Sequence, residues 1–189
     1  MYSKCCIRLL QNILQHNGFT VHTITTSFID IELKSEQTEK DFLKLLKTEK
    51  FEILEDKDKI KVEQIKQAVI ELIHYMNNVD SIIRKSEYLI EKMQMTYQQI
   101  SRLFSKYENI TLEKFIILHK IEKAKQLLTN EDYTLSEISF IMDYSSVQHL
   151  SNQFKKITGY TVSEYKNLKN KPKVSIEDIG NSTLKEDDF

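Results

Sequence analysis

Polar side chains that can hydrogen-bond to DNA bases recur along a predicted helix over residues 147–157. The apolar residues Leu150, Phe154 and Ile157 recur there at helical spacing, so they mark one face as buried. The polar residues of this helix and of the turn before it are Ser145, Ser146, Gln148, His149, Ser151, Asn152, Lys155 and Lys156. Because amide side chains pair with adenine and lysines suit phosphate, this composition is typical of a helix that reads the major groove. The plainer alternative is a solvated helix face.

The same arrangement occurs earlier in the chain, over residues 97–106. Ile100 and Phe104 take the inward positions that Leu150 and Phe154 take in the later segment. The residues outside that face that could contact DNA are Tyr97, Gln98, Gln99, Ser101, Arg102 and Lys106. Arginine adds a side chain that pairs with guanine, so both segments are candidate readers of double-stranded DNA.

Each of these segments follows a short helix and a turn, and one long helix joins the two pairs. The first pair has a predicted helix over 85–93 and a turn at 94–96, and the second pair turns at 143–146. Serines at the end of the second turn can cap the helix that follows, and Gly159 is a suitable stop. The joining helix covers 111–129, where apolar residues recur along its length. The pattern predicts an all-α domain of two helix-turn-helix units.

Three phrases in this region carry a specific resemblance. They are IEKAKQLL in the joining helix, SEI before the second turn, and FKKITGYTVSEY after it. Region 81–169 thereby resembles the DNA-binding domain of AraC-type (AraC/XylS) transcription regulators. The resemblance implies that the helices over 97–106 and 147–157 enter successive major grooves of DNA. It also leaves a homodimer or a contact with RNA polymerase as further partners.

The sequence departs from that family's pattern at four positions. Where the family usually has a small residue in the first helix of each unit, this chain has Ile90 and Ser139. Where the family has glycine at each turn, this chain has Gln94 and Asp143. Serine is small and aspartate tolerates positive φ, so the second unit is predicted to form normally and the first to be less regular. A regulator that has lost DNA binding and acts through protein contact is therefore an alternative.

The first 56 residues are predicted to fold as helix, strand, strand, helix, strand. The helices cover 4–16 and the region after Ser35, and the strands cover 19–24, 28–33 and 51–54. This order is a ferredoxin-like βαββαβ pattern without its opening strand, which makes the fold class α+β. Either the sequence begins after the native start or the sheet has three strands. Residues predicted to face the core of this domain include Leu9, Leu10, Leu14, Val21, Thr23, Phe42, Leu43 and Leu46.

Cys5 and Cys6 are the two cysteines of the chain, and adjacent cysteines rarely bridge each other because the geometry is strained. The N-terminal region resembles heavy-metal-associated domains, in which a loop Met-x-Cys-x-x-Cys precedes the first helix. MYSKCC aligns with that loop, with Ser3 in place of the first cysteine. Two thiolates on one loop would hold a soft metal ion, so a metal-handling or metal-responsive protein is a second alternative. No other cofactor is expected.

Charge is unevenly distributed along the chain, although the total is close to zero. The chain has 27 Lys and Arg against 28 Asp and Glu. Residues 81–171 carry 14 basic and 10 acidic side chains, whereas residues 1–80 carry 11 and 13, and residues 172–189 carry 2 and 5. The positive excess therefore lies in the segment with the two helix-turn-helix units, as phosphate contacts would require.

The predicted order of domains is a ferredoxin-like or heavy-metal-associated-like domain at 1–58, a linker helix at 59–80, the double helix-turn-helix domain at 81–169, and a disordered acidic tail at 170–189. The linker helix has an apolar face over 60–78, which could pack on either domain or on a second copy of the chain.

Several function classes find no support in the sequence. It contains no Gly-rich phosphate loop, nucleophile elbow or paired-carboxylate motif, so no enzymatic function is predicted. No apolar run approaches the roughly 20 residues that a membrane span needs, and the N-terminus lacks a signal-peptide layout. We therefore expect a soluble, cytoplasmic protein with no membrane partner. With 3 Gly and 1 Pro, the chain should be rich in helix.

Overall fold

Helices dominate the fold of this chain. The computed structural model describes residues 4–25, 28–54, 56–75, 85–130, 133–172, 174 and 179. These residues contain nine α-helices, one π-helical turn and a two-stranded antiparallel sheet. The chain divides into two compact units, Met1–Gln64 and Ile65–Phe189, and the sheet lies in the first. The predicted α+β class is thus correct at this coarse level. No helix in the described part of the chain is long and apolar enough to cross a membrane.

The first unit packs two helices against a β-hairpin. Helix α1 (Lys4–His16) leads into β1 (Thr20–Ile24) and β2 (Ile29–Glu32), and α2 (Glu36–Thr48) follows. Helix α1 and the two strands were predicted within a residue or two of their observed ends, and α2 begins directly after Ser35 as predicted. The buried core of the unit consists of Leu10, Leu14, Phe42 and Leu46.

The third predicted strand, at 51–54, is wrong, since this segment is irregular. Directly after α2, Lys50 takes a left-handed φ of 60°, and its N–H donates to the Lys47 carbonyl. The N–H of Phe51 donates to the Leu46 carbonyl at 2.8 Å. These two bonds form a Schellman cap, which closes the helix and uses N–H groups that a strand would offer to a sheet.

Three residues predicted to face this core are exposed. Leu9 and Leu43 expose 56% and 46% of their surface. On β1, Thr23 is exposed and Ile24 is half-buried, because the pairing register shifts between Val21 and Thr23. Such a β-bulge inserts an extra residue into one strand and reverses the faces beyond it, which simple alternation of apolar residues does not anticipate.

Helix α3 (Lys57–Ile70) continues directly into the π-helical turn Glu71–Tyr75. The helix predicted over 60–78 is thus confirmed as far as the structure describes it. Its second half belongs to the second unit, where the Lys66 ammonium lies 3.0 Å from the Glu108 carboxylate. Of the alternatives left open by the sequence, the structure therefore supports packing of this half on the C-terminal unit.

The second unit contains two pairs of short helices on either side of one long helix, followed by a last short helix. Ile100, Phe104, Leu150 and Phe154 are each at most 1% exposed, so these predicted core residues are confirmed. The helices are α4 (Lys85–Met93), α5 (Tyr97–Tyr107), α6 (Leu112–Asn130), α7 (Leu135–Ile141), α8 (Val147–Thr158) and α9 (Val162–Asn167).

The two turns within the pairs share a left-handed backbone conformation. The φ angle is 52° at Gln94 and 55° at Asp143. The Gln94 amide donates to the Glu91 carbonyl at 2.6 Å and so supports the first turn without glycine. Ile90 is 39% exposed, whereas Ser139 is only 4% exposed, so the larger side chain does not crowd the interior. The first turn is therefore regular in its backbone, contrary to the expectation from the sequence.

A buried pair of histidines ties the π-helical turn to α6. Nε2 of His74 lies 3.1 Å from Nδ1 of His119, and the His119 ring also packs edge to face on Phe115. Burial lowers the pKa of His74 to about 4, with Lys123 as a further cause. Burial and the neighbouring His74 lower the pKa of His119 to about 3. Both rings are therefore neutral at pH 7, and one must donate its proton to the other.

Replacing Gln94 by glycine should stabilise the second unit. A left-handed conformation is costly for any residue with a Cβ atom, and glycine removes that cost while losing one side-chain bond. We expect Gln94→Gly to raise the free energy of unfolding in urea by about 0.5–1 kcal/mol. The same change within α6, Gln126→Gly, should lower it by about 1 kcal/mol. A loss of stability in both variants would contradict the role assigned to the turn.

The stability of the second unit should fall as the pH drops below about 6.5. The unfolded chain takes up protons near that pH, whereas the folded pKa values of His74 and His119 are about 4 and 3. The unfolded state therefore binds more protons between pH 6.5 and 4, and stability is lost as the pH falls through that window. Urea unfolding followed by circular dichroism should show a loss of up to about 1.4 kcal/mol per pH unit for each histidine.

The double variant His74→Gln/His119→Gln should flatten this dependence, because neither glutamine titrates. The exposed His22 on β1 provides the control, and His22→Gln should leave the slope as it is in the wild-type protein. If the double variant retains the full slope, the histidine pair is not its source.

Candidate nucleic-acid interface

The start of α8 is held by the side chains of the turn before it. The Ser146 hydroxyl accepts a bond from the His149 N–H at 3.1 Å, which caps the helix. Ser145 Oγ lies 3.1 Å from His149 Nδ1, and the His149 ring meets that of Tyr144 edge to face at 5.2 Å. The imidazole is thus held by two neighbours, and Nε2 is the ring nitrogen that Ser145 does not engage.

The other predicted contact residues of α8 differ in their exposure. Gln148 and Asn152 are exposed, and Gln148 Nε2 donates to Asn152 Oδ1 at 2.8 Å. Lys155 and Lys156 are exposed in the last turn, where cations also complement the helix dipole. Ser151 is half-buried. The exposed face of α8 therefore offers amides in its first half and positive charge at its end.

Four predicted contact residues of α5 are exposed, and three of them take no part in its N-terminal cap. Gln98 and Arg102 lie one helical turn apart near the beginning and the middle of the helix. Lys106 lies in the last turn, with its ammonium 4.8 Å from the centre of the Tyr107 ring. The spacing of amide, guanidinium and ammonium resembles the sequence of polar groups along α8.

Three other predicted contact residues of α5 have structural partners. The hydroxyls of Tyr97 and Ser101 both donate to Oε1 of Glu113, at 3.2 and 3.3 Å, and so join α5 to the first turn of α6. Burial, and secondarily the Glu113 carboxylate, raises the pKa of Tyr97 to about 12. Gln99 accepts a bond from the N–H of Thr96 at 2.9 Å in a capping box. These side chains therefore help to position α5, and they also border its exposed face.

Tyr144, in the second turn, was not among the residues predicted from the sequence, yet it contacts both α8 and α6. Its hydroxyl donates to Gln153 Oε1, and the Lys120 ammonium lies 5.1 Å from the centre of its ring. Burial raises the pKa of this phenol. Tyr144 thus connects the turn to α8 and to α6. The only sequence signal was an aromatic residue within an otherwise small and polar turn.

Buried charges on α6 hold residues that were predicted to belong to a disordered tail. Glu122 and Lys125 form a buried ion pair, with the ammonium 2.5 Å from Oε2. The other oxygen of Glu122 accepts a bond from the N–H of Val174 at 3.2 Å, and the Tyr165 hydroxyl donates to the Pro172 carbonyl at 3.1 Å. The described start of the predicted tail is therefore bonded to this unit. Most of the tail lies outside the described residues.

Cys5 and Cys6 lie in the first turn of α1, where the former is exposed and the latter half-buried. Successive residues on a helix project about 100° apart, so the two side chains diverge and do not face a common point as ligands on a loop can. Residues 1–3 of the aligned loop lie outside the described residues. Within the described part of the chain, no group of three or more His, Cys, Asp or Glu could hold a metal ion.

Comparison with known proteins gives a family match for the segment that contains α5 and α8. The family model for a helix-turn-helix domain matches residues 89–168. The xylose operon regulatory protein of Escherichia coli (strain K12) is 28% identical over 101 residues. Residues 89–168 form an AraC-type DNA-binding domain.

Similarity to curated relatives covers about half of this chain. This chain is also 28% identical over 98 residues to the xylose operon regulatory protein of Haemophilus influenzae. It is 28% identical over 104 residues to the uncharacterized HTH-type transcriptional regulator YdiP of Escherichia coli (strain K12). These matches, with the first, cover 53%, 52% and 54% of this chain but only 26%, 25% and 34% of the relatives. The chain thus spans about a quarter to a third of their length.

The comparisons leave the N-terminal region without an assignment. No solved structure matches the chain significantly. The family model does not cover residues 1–56, so the resemblance of that region to heavy-metal-associated domains stays a prediction.

Removing the Glu113 carboxylate should loosen α5 on the AraC-type domain. In Glu113→Ala, the hydroxyls of Tyr97 and Ser101 lose their shared acceptor, and we expect the free energy of unfolding to fall by about 1 kcal/mol. Tyr97→Phe should cost less in this background than in the wild-type protein, because the bond is already absent. Glu91→Ala, on the exposed face of α4, is the matched control and should change stability by less than about 0.5 kcal/mol. Equal costs of Tyr97→Phe in both backgrounds would exclude the bond as a stabilising contact.

Proposed function

We propose that this chain is a transcription regulator that recognises a specific double-stranded DNA sequence through α5 and α8, in successive major grooves. The observation that carries this proposal is the repetition of one arrangement. Each helix follows a left-handed turn, buries one apolar face and leaves amide and cationic side chains exposed. The AraC-type match of residues 89–168 supports DNA as the partner, and several relatives are regulators by their printed names.

Base contacts and phosphate contacts would come from different parts of the two helices. Residues near the start of a recognition helix meet base edges, whereas flanking cations meet the backbone and set the register. The side chains proposed for base edges are Gln98, Arg102, Gln148, His149 and Asn152. The side chains proposed for phosphates are Lys106, Lys155 and Lys156.

The remaining parts of the chain would serve regulation in the cytoplasm. The first unit would sense an effector, mediate a homodimer or stabilise the fold, and a contact with RNA polymerase would couple DNA binding to transcription. The left-handed turn at Gln94 forms without glycine, which weakens the case for a regulator that has lost DNA binding. The divergence of Cys5 and Cys6 on α1 likewise weakens the case for a metal-handling protein.

Base-contacting and phosphate-contacting residues should respond differently when they are truncated. In a mobility-shift assay with genomic fragments, Arg102→Ala should weaken binding to the specific site by about 1–3 kcal/mol and relax the base preference at one position. Lys156→Ala should weaken binding to all sequences alike and reduce the salt slope by about 1. The difference arises because arginine can pair with a guanine edge, whereas lysine here would neutralise a phosphate.

Lys40→Ala provides a charge-matched control on α2 of the first unit, and it should leave both affinity and salt slope unchanged. The proposal fails if the wild-type protein binds no fragment more tightly than random DNA.

A further inference from the structure

Two amide side chains on α8 are joined to each other on the exposed face of the helix. Nε2 of Gln148 donates to Oδ1 of Asn152 at 2.8 Å, and both residues are exposed. They lie in the first two turns of α8, one turn apart. Residues at this end of a recognition helix are the ones that reach base edges. The bond fixes the orientation of each amide relative to the other.

The bond between the amides determines which groups remain for a ligand. Gln148 retains its carbonyl oxygen as an acceptor, and Asn152 retains its amide N–H groups as donors. If the two amides exchange roles, with Asn152 donating to Gln148, the pair still retains one acceptor and one donor group. The composite surface thus presents a donor beside an acceptor in either arrangement.

We infer that Gln148 and Asn152 together read a single adenine in the major groove, an inference that rests on the proposed function. Adenine presents the N6 amino donor next to the N7 acceptor, which complements an acceptor next to a donor. Guanine presents two acceptors, O6 and N7, so one of them would face the Gln148 carbonyl. Cytosine presents a donor with no acceptor on its own edge, and thymine presents an acceptor and a methyl group. Adenine is the one base that satisfies both amides from its own edge.

The side chains at the corresponding positions of α5 match a different base. Gln98 and Arg102 are, like Gln148 and Asn152, the second and sixth residues of their helix. Arginine has donors and no acceptor, and it pairs with the two acceptors of guanine. The two helices therefore select different bases at equivalent positions, and the site is not a repeat of one half-site.

The experiment determines the preferred site of the full 189-residue chain from a randomised DNA pool, then measures affinities for all single-base variants of that site. One position should require adenine, with a loss of about 5- to 150-fold for other bases. In Asn152→Asp, the outward donor becomes an acceptor, so the ratio of affinities for adenine over cytosine at that position should fall by a similar factor or reverse. Ratios are used because the added negative charge weakens binding to every sequence.

A second variant tests whether the pair acts jointly. Gln148→Met keeps the length of the side chain but removes both the bond to Asn152 and the outward acceptor, so discrimination at the adenine position should also fall. Asn167→Asp makes the same chemical change at an exposed position of α9 and should leave every ratio unchanged. The preference at the position read by Arg102 should persist in all three variants, which shows that α5 and the fold are intact.

The outcomes separate this inference from the function on which it rests. If the wild-type chain shows no base preference at any position, the proposed function itself fails. If the wild-type chain is selective but neither variant alters discrimination at an adenine position, the amide pair is not the reader. If Asn152→Asp alters it and Gln148→Met does not, Asn152 reads alone and the joint reading is wrong.

Discussion

Helix α6 packs against both helix-turn-helix pairs at once, and this constraint shapes the whole second unit. A helix buried on most of its circumference cannot keep its polar side chains in water, so each of them needs a partner. His119, Glu122 and Lys125 are all buried on α6. His119 meets His74, which precedes the first pair, and Glu122 meets both Lys125 and the N–H of Val174, which follows the second pair. The polar groups of one helix thereby fix the segments that flank both pairs.

Boundaries of the elements could be predicted where a local signal sets them. The helices over 4–16 and 85–93 have the predicted ends, and Ser35 and Ser146 act as the caps that their side chains suggested. Gly159 ends α8 with a φ of 78°. A cap is a contact between residues a few positions apart, so the sequence contains all of its participants.

Contacts between distant residues could not be predicted in this way. Apolar spacing shows which residues share a helix face, but it does not show which helix meets that face. Tyr97 and Ser101 therefore looked like possible DNA contacts, although both hydroxyls donate to Glu113 across α5 and α6. The segment at 51–54 is a different case, because its strand-like composition concealed a local cap in which the N–H of Phe51 donates to the Leu46 carbonyl. Apolar spacing did not reveal the bonds to Glu113, and contact of Tyr97 and Ser101 with DNA stays a prediction.

The first turn of a reading helix places two competing demands on its polar side chains. Its backbone N–H groups need acceptors, and the bases need donors and acceptors from the same turn. Helix α5 meets the first demand with Thr96 before the helix and Gln99 within it, so one amide of its first turn is occupied by the cap. Helix α8 is capped by Ser146, which precedes the helix, and the side chains of Gln148 and His149 stay out of the cap. If the two helices read DNA as proposed, sequence discrimination should be concentrated in the second helix-turn-helix pair, while the first contributes fewer base contacts and more of the positioning.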